Sequence, residues 1–491
     1  MDYVENLLEA RLPGCSGPDR NLCLELVYGV VRWQRTLDWL VARKTGGRAQ
    51  KATLQILLRL GLYQMLWLDR IPEHAAVNES VDLARQLGCG PQSGFVNALL
   101  RGYARERDQT RKELEDLKRS RPALGYSHPD WLCERWQRRW GAGKLRLLLE
   151  WNNTPPKIFA RLNTLRADAG GLLKQWRQEG VEYDVFRRDW FGENLVFELK
   201  SHPSLASLAS FQQGLYYVQD PSTLLAVQAL DPQPHEAILD LCAAPGGKTT
   251  YIAQRMLDRG RLVACAVDSR RLQLLRENRA RLGITCMETV ATAPSHLVPV
   301  SDRMGEGSGE RILGTPGAHY SPEPTPNPSQ EGNFRGADEG PLPSREGSAV
   351  GQFMDRTTGE REKGDAEAKQ ADPLRHSALR TPQFDRVLVD TPCSNTGVMR
   401  RRVDLRWRLR PEEIDRLHST QLELLRNASR QTRPGGVLVY STCSLEPEEN
   451  CQVVKEFTAG QPDFKLEGER ELLPFADRVD GAYVARLVRL A

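Results

Sequence analysis

The second half of the chain predicts an α/β fold, a largely parallel and doubly wound sheet, on three observations. Short apolar runs at Ala237 to Leu241, Arg261 to Val267, Arg386 to Val389 and Val437 to Tyr440 each end beside an acidic or small polar residue. Stretches with apolar residues at helical spacing, Thr249 to Arg259, Arg270 to Leu282 and Glu413 to Gln431, separate them. Strands that alternate with helices pair in parallel, because each crossover helix returns the chain to the same end of the sheet. Gly246 and Gly247 occupy the first strand-to-helix turn, the edge at which ligands bind in open α/β sheets.

At 491 residues the chain exceeds one ordinary domain. Residues 1–122 predict an all-α bundle: in KATLQILLRLGLYQMLWL, Leu54, Leu57, Leu58, Leu62 and Met65 follow helical spacing, and Pro72 and Pro91 punctuate the helices. Arg105 to Arg121 carries charge of both signs and reads as a solvated helix or linker. Residues 123–215 predict a small α+β subdomain. In it, Tyr126 to Trp140 interleaves three tryptophans with basic residues, a composition that serves either nucleic-acid contact or core closure. Residues 216–491 hold the α/β unit, which Gly481 to Leu490 closes as an edge strand. Within it, 299–380 is rich in Gly, Pro, Ser and Glu and reads as a disordered low-complexity insertion that cannot bury enough surface to offset ordering.

Lys and Arg total 68 against 64 Asp and Glu, a net charge of +4, so any polyanion contact must be a local patch. The ten cysteines form no C-x-x-C pair and read as reduced thiols. No metal site is expected. The acidic N-terminus lacks an apolar leader core, and no run approaches about 18 apolar residues, so a soluble, cytoplasmic protein without membrane contact is expected.

In AILDLCAAPGGKTT the ligand loop comprises Cys242, Ala243, Ala244, Pro245, Gly246 and Gly247, with Lys248 opening the helix. Asp268 ends the next strand about 20 residues on, where an acidic side chain suits a ribose diol. The spacing matches neither the dinucleotide fingerprint nor the P-loop, which leaves S-adenosylmethionine as the adenosyl ligand. Cys393 and Cys443 follow the carboxyl ends of two strands of the same sheet, so both thiols are expected to face that ligand. A thiol beside a methyl donor points to an electron-poor ring: carbon 5 of cytosine becomes nucleophilic only after addition at carbon 6. Asp390 is placed to stabilise such an adduct at the ring's N3 edge. Position alone leaves open which thiol attacks. Downstream, Arg400, Arg401, Arg402, Arg406 and Trp407 form the clearest candidate RNA contact.

DLCAAPGGKTT, VDTPCSNTGVMRR and VYSTCSLEPEEN together closely resemble the bacterial ribosomal RNA 5-methylcytosine methyltransferases of the RsmB (Sun/Fmu) type. LVYGVVRWQRTLDWL and RIPEHAAVNESVDLARQLG look like the NusB-like RNA-binding domain of that subfamily, and RLNTL and VQDPST match its intermediate motifs. The resemblance implies a Rossmann-like methyltransferase domain and S-adenosyl-L-methionine held by Cys242 to Lys248, with Asp268 at the ribose and Asp390 near methyl donor and target ring. It implies Cys443 as nucleophile and Cys393 as the residue that assists product release. The implied substrate is a cytosine of small-subunit (16S) ribosomal RNA, unassembled or partly folded; a monomer is expected. Transfer RNA is the alternative substrate, and a non-catalytic RNA-binding or assembly factor the alternative class. The chain departs from the family at Ala293, where an aspartate is usual after the third strand, and in a short N-terminus.

Overall fold

The computed structural model describes residues 4–12, 15, 17–267, 269–291 and 384–491. Asp268, Ala293 and the proposed insertion 299–380 lie outside the described residues. The first part is helical: Val4–Arg11, Gly17–Arg32, Gln34–Thr45, Ala52–Trp67, Glu73–Gln86, Ser93–Arg105 and Arg107–Ser120. Leu54, Leu57, Leu58, Leu62 and Met65 are all buried and share a core with Leu37, Leu40, Val96, Leu100 and Tyr103. The charged helix Arg107–Ser120 is solvated and laced by surface ion pairs such as Arg111 to Asp69 (3.0 Å), which add little stability.

The helix Asp130–Asn153 bends at Gly141, whose φ of 78° only glycine adopts without strain. Its tryptophans close a core. Trp136 is fully buried and donates from Nε1 to Glu446 Oε1 at 3.0 Å, while Arg135 pairs with Glu446 and Glu448, and Arg139 with Glu471 at 2.9 Å.

A four-stranded antiparallel sheet follows, built from β1 (Ile158–Leu162), β2 (Glu182–Phe186), β3 (Val196–Ser201) and β4 (Tyr216–Val218) in the order β2-β3-β1-β4. The helix Ala169–Glu179 packs on it through Trp176, whose ring meets Phe197 and Tyr216 edge-on. The larger sheet comprises β5 (Ala237–Asp240), β6 (Arg261–Ala266), β7 (Met287–Ala291), β8 (Phe384–Asp390), β9 (Thr432–Thr442), β10 (Phe464–Leu472) and β11 (Ala482–Arg489), ordered β10-β11-β9-β8-β5-β6-β7. β7, β6, β5, β8 and β9 run parallel; β11 and β10 add antiparallel strands.

Side chains alternate across this sheet with a period of two, and both faces are covered. Ile238, Leu262, Leu388 and Val439 enter one core, while Leu239, Val263, Val387 and Leu438 enter the other. Two readings need correction. The final strand is not an edge: β11 lies between β9 and β10, and β10 forms the edge. The helix after the glycine pair ends at Arg255, ahead of Arg259, because Leu257 and Asp258 turn to positive φ (54° each).

Candidate active site

The ends of β5, β8 and β9 build the site. β8 pairs with both neighbours, and its register sets Leu388 beside Asp240 and Asp390 beside Ser441. The turn from Cys242 to Gly246 leaves β5 into the helix Gly247–Arg255. Gly246 has a φ of 111°, and a Cβ there would sit 2.9 Å from Leu275, so the turn requires glycine. A Cβ on Gly247 would make ordinary van der Waals contact with Tyr217 at 3.4 Å and Gln219 at 3.5 Å.

Lys248 reaches back from the first turn of that helix and donates to Asp390 Oδ2 at 2.7 Å, while Ser441 Oγ donates to Oδ1 at 2.7 Å. Burial opposes the Lys248 charge, but Asp390's charge and hydrogen bond outweigh it, and the ammonium is held above its ordinary pKa. Asp240 is buried at the end of β5, with Oδ2 accepting from Thr249 at 2.7 Å and Oδ1 lacking a hydrogen-bond partner. Burial pushes its pKa up to about 7. From the smaller sheet, buried Arg161 donates to Gln219 Oε1 (2.6 Å), Gly247 O (2.9 Å) and Thr250 Oγ1 (3.0 Å) and lies between the rings of Tyr217 and Tyr251.

Cys393 and Cys443 leave β8 and β9 with their sulfurs 3.2 Å apart. The Cys443 thiol also donates to Asn395 Oδ1 at 3.1 Å, and Asn395 Nδ2 donates to the Cys393 carbonyl at 2.7 Å. Gly397 N donates to the Cys443 carbonyl at 2.9 Å, and a Cβ on Gly397 would clash with that oxygen at 2.6 Å. Cys393 is buried and Cys443 only partly so. The hydrogen bond to Cys443, then burial, push the Cys393 thiol well above its ordinary pKa, so Cys393 keeps its proton.

The expected loop from Cys242 to Gly247 thus stands at the same sheet edge as Lys248, Asp390, Cys393 and Cys443; Asp268 lies outside the described residues. The arginine segment needs correction as an RNA contact. Arg400 is buried, donates to Asp480 Oδ1 (2.6 Å) and Asp220 Oδ2 (3.3 Å), and lies 4.0 Å over Trp151. Arg401 bridges the same two carboxylates. Arg406 is fully buried and donates to the carbonyls of Arg32, Ser127 and Asn152 and to Asn153 Oδ1, over 2.9–3.2 Å. Trp407 Nε1 donates to Val31 O at 2.7 Å. These donors are spent on the protein's own acceptors and are withdrawn from phosphate. Arg402 is half-buried and engaged in its own contacts.

Four supporting residues escaped the sequence reading: Ser441, Asn395, Glu449 and Arg161. Each carries a signal only in retrospect, being a polar residue one to six positions from a cysteine, or the sole charge within a buried strand. Among the described residues no group of three or more His, Cys, Asp or Glu could hold a metal ion, and no helix is long and apolar enough to cross a membrane.

With this geometry in hand, the chain can be set beside known proteins. The family model described as 16S rRNA methyltransferase RsmB/F matches residues 227–306 and 362–488, the NusB family matches 1–105, and an RsmF/B-like ferredoxin-like domain matches 128–188. A probable ribosomal RNA small subunit methyltransferase B of Bacillus subtilis is 31% identical over 453 residues, covering 92% of this chain and 82% of the relative. Its namesake from Synechocystis is 32% identical over 494 residues, covering 96% and 92%. Among solved structures, PH0851 superposes with a TM-score of 0.66 at 22% identity over 97% of this chain and 91% of its own. A methyltransferase homolog from Pyrococcus horikoshii gives 0.52 at 24% identity, over 75% and 97%. A NusB-like helical region, a ferredoxin-like sheet and a Rossmann-like sheet carrying the paired thiols at its open edge thus occur in one chain, which belongs to the 16S rRNA methyltransferase RsmB/F family.

Proposed function

We propose that the protein transfers a methyl group from S-adenosyl-L-methionine to carbon 5 of a cytosine in small-subunit ribosomal RNA through a covalent Cys443–cytosine adduct. The observation that carries this reading is the thiol pair, 3.2 Å apart, at the sheet edge that also bears Lys248 and Asp390.

The loop fits an adenosyl methyl donor on two counts. Its turn requires glycine at Gly246, where φ is 111°, and beside it the buried Asp240 Oδ1 lacks a partner. Cys242, Ala243, Ala244, Pro245, Gly246, Gly247, Lys248 and Asp390 would hold the donor, together with Asp268. When bound, it supplies an electrophilic methyl group.

The remaining work falls to the protein. The target base must leave its stack to reach the thiols. Cys443, the more open of the pair, is the nucleophile: its thiolate adds to carbon 6, and the displaced ring electrons make carbon 5 reactive. Burial and the contact with Cys443 favour the protonated thiol at Cys393. The Asp390 and Lys248 pair provides an acidic group at the N3 edge of the adduct. After transfer, a base, which solvent can supply, takes the carbon 5 proton; the electrons of that C–H bond re-form the ring double bond as the carbon 6–sulfur bond breaks and Cys443 leaves as thiolate, a step that Cys393, in contact with that sulfur, assists.

The test is methyl transfer from labelled S-adenosylmethionine to unmodified 16S RNA and, in parallel, to transfer RNA, with nucleoside analysis and mapping. Labelled 5-methylcytosine in 16S RNA is expected. Label only in transfer RNA, or none despite cofactor binding, overturns the reading. Cys393→Ala should accumulate an RNA adduct stable to denaturation; its appearance with Cys443→Ala instead would reverse the two roles.

A further inference from the structure

Behind the thiols lies a buried carboxylate for which the reaction as described has no use. Glu449 closes the short turn Pro447–Glu449 and has no exposed surface. Its Oε1 accepts from Ser394 N at 2.7 Å and from Gln421 Nε2 at 3.0 Å, and its Oε2 accepts from the hydroxyls of Ser394 and Ser444. Those two hydroxyls are themselves 3.0 Å apart. Ser394 directly follows Cys393, and Ser444 directly follows Cys443. Gln421 completes the ring by donating to the carbonyl of Pro392, the residue before Cys393, at 2.9 Å. The Glu449 main-chain carbonyl accepts from Tyr440 at 2.6 Å, which ties the same turn to β9.

A carboxylate has about four acceptor positions on two oxygens, and four donors fill them here. Those donors come from the turn after β8, the turn after β9 and one helix. Burying an anion among neutral donors is costly, so a purely packing role would be met better by an apolar or amide side chain. What the carboxylate adds to the Asn395 and Gly397 contacts between the two cysteine turns is a single buried acceptor that binds both turns at once.

We infer that Glu449 is a positioning residue that holds the turns of Cys393 and Cys443 at their working separation for methyl transfer, an inference that rests on the two-thiol reading above. The glutamate touches neither substrate nor cofactor. It acts through Ser394 and Ser444, so its loss should slow the chemical step and leave binding intact. An amide at this position keeps one acceptor oxygen but turns the other donor-facing atom into a donor, and alanine removes both.

The experiment uses the full-length chain as Glu449→Gln, Glu449→Ala and Ser444→Ala, with 16S RNA and S-adenosylmethionine as substrates. It reads kcat, KM for each substrate, Tm, and the ratio of iodoacetamide alkylation at Cys443 and Cys393 by peptide mass spectrometry. Expected are falls in kcat of about 10-fold for Glu449→Gln and about 100-fold for Glu449→Ala with KM unchanged, the scale set by small misplacement of reacting groups. Ser444→Ala should lose less in the same direction, and the alkylation ratio should move in all three. Unchanged kcat and alkylation ratio in the folded Gln and Ser444→Ala variants overturn the inference, as does a rise in KM at constant kcat. Should Glu449→Ala fail to fold, those two variants decide. Cys443→Ser runs in the same assay: if it remains active, the two-thiol reading fails, whereas an inactive Cys443→Ser beside a fully active Glu449→Gln removes the role of Glu449 alone.

Discussion

The strand-end site and the segment from Arg400 to Trp407 are both rich in charge and lie within one stretch of chain, yet they spend that charge in opposite ways. Around Lys248, Asp390 and Ser441 the polar groups pair at an edge that remains partly open, the Asp390 side chain keeping 30% of its surface. Around Arg400 and Arg406 the guanidinium groups are sealed, 2% and 0% exposed, and hydrogen-bonded to the protein's own oxygens. A cation is available to a ligand only where its donors are not already consumed, and basic composition does not reveal which case holds.

The sharpest way to break this comparison is Cys443→Ala. Removing a nucleophile should cost on the order of 10⁴-fold in kcat or more, with RNA binding retained, as measured by filter binding beside labelled methyl transfer. Loss of binding in step with activity would mean that the open edge is no more than structural.

Next comes the pH dependence of Asp240. Its folded pKa, about 7, exceeds the ordinary carboxyl value, so the native state holds the proton that the unfolded chain releases. The stabilisation is complete below the unfolded pKa and is lost as pH rises towards about 7; the full shift corresponds to about 4 kcal/mol. Denaturant titrations from pH 4 to 8 should show this slope in the wild type and its absence in Asp240→Asn. Equal slopes would refute it.

Arg406→Met should destabilise by about 3 kcal/mol, because it strips donors from three buried carbonyls and from Asn153 Oδ1. The salt dependence of RNA affinity should stay unchanged; a shallower slope would return Arg406 to the phosphate-contacting set. Smallest is Trp407→Phe, which deletes the single bond to Val31 O at a cost of about 1 kcal/mol in thermal or chemical unfolding.

The same contrast explains what could be read from residues alone. The turns that carry Cys242, Cys393 and Cys443 were legible because an apolar run, its acidic or small polar end and the small residues beyond are local signals. The fate of Arg406 was not, since its acceptors lie on segments 253 to 374 residues away. Strand β10 escaped because FKLEGEREL exposes much of its length and reads as a polar helix or loop. The first half of β9 escaped for a different reason, as Pro434, Gly435 and Gly436 signal a break although the chain there is already in the sheet. Ser441, Asn395 and Glu449 became recognisable only once two turns from separate strands stood side by side.

The Arg406 contacts also bear on the order in which the chain is made. Arg32 and Ser127 leave the ribosome long before residue 406, whose guanidinium their carbonyls accept. Nascent N-terminal helices can form their own core early, since Leu37, Leu58 and Val96 need nothing downstream. The ends that receive Arg406 and Trp407 must nonetheless remain hydrated until the segment after β8 that carries those two residues has been synthesised, and a ribosome stalled before that point would display a helical bundle with those acceptors still facing water.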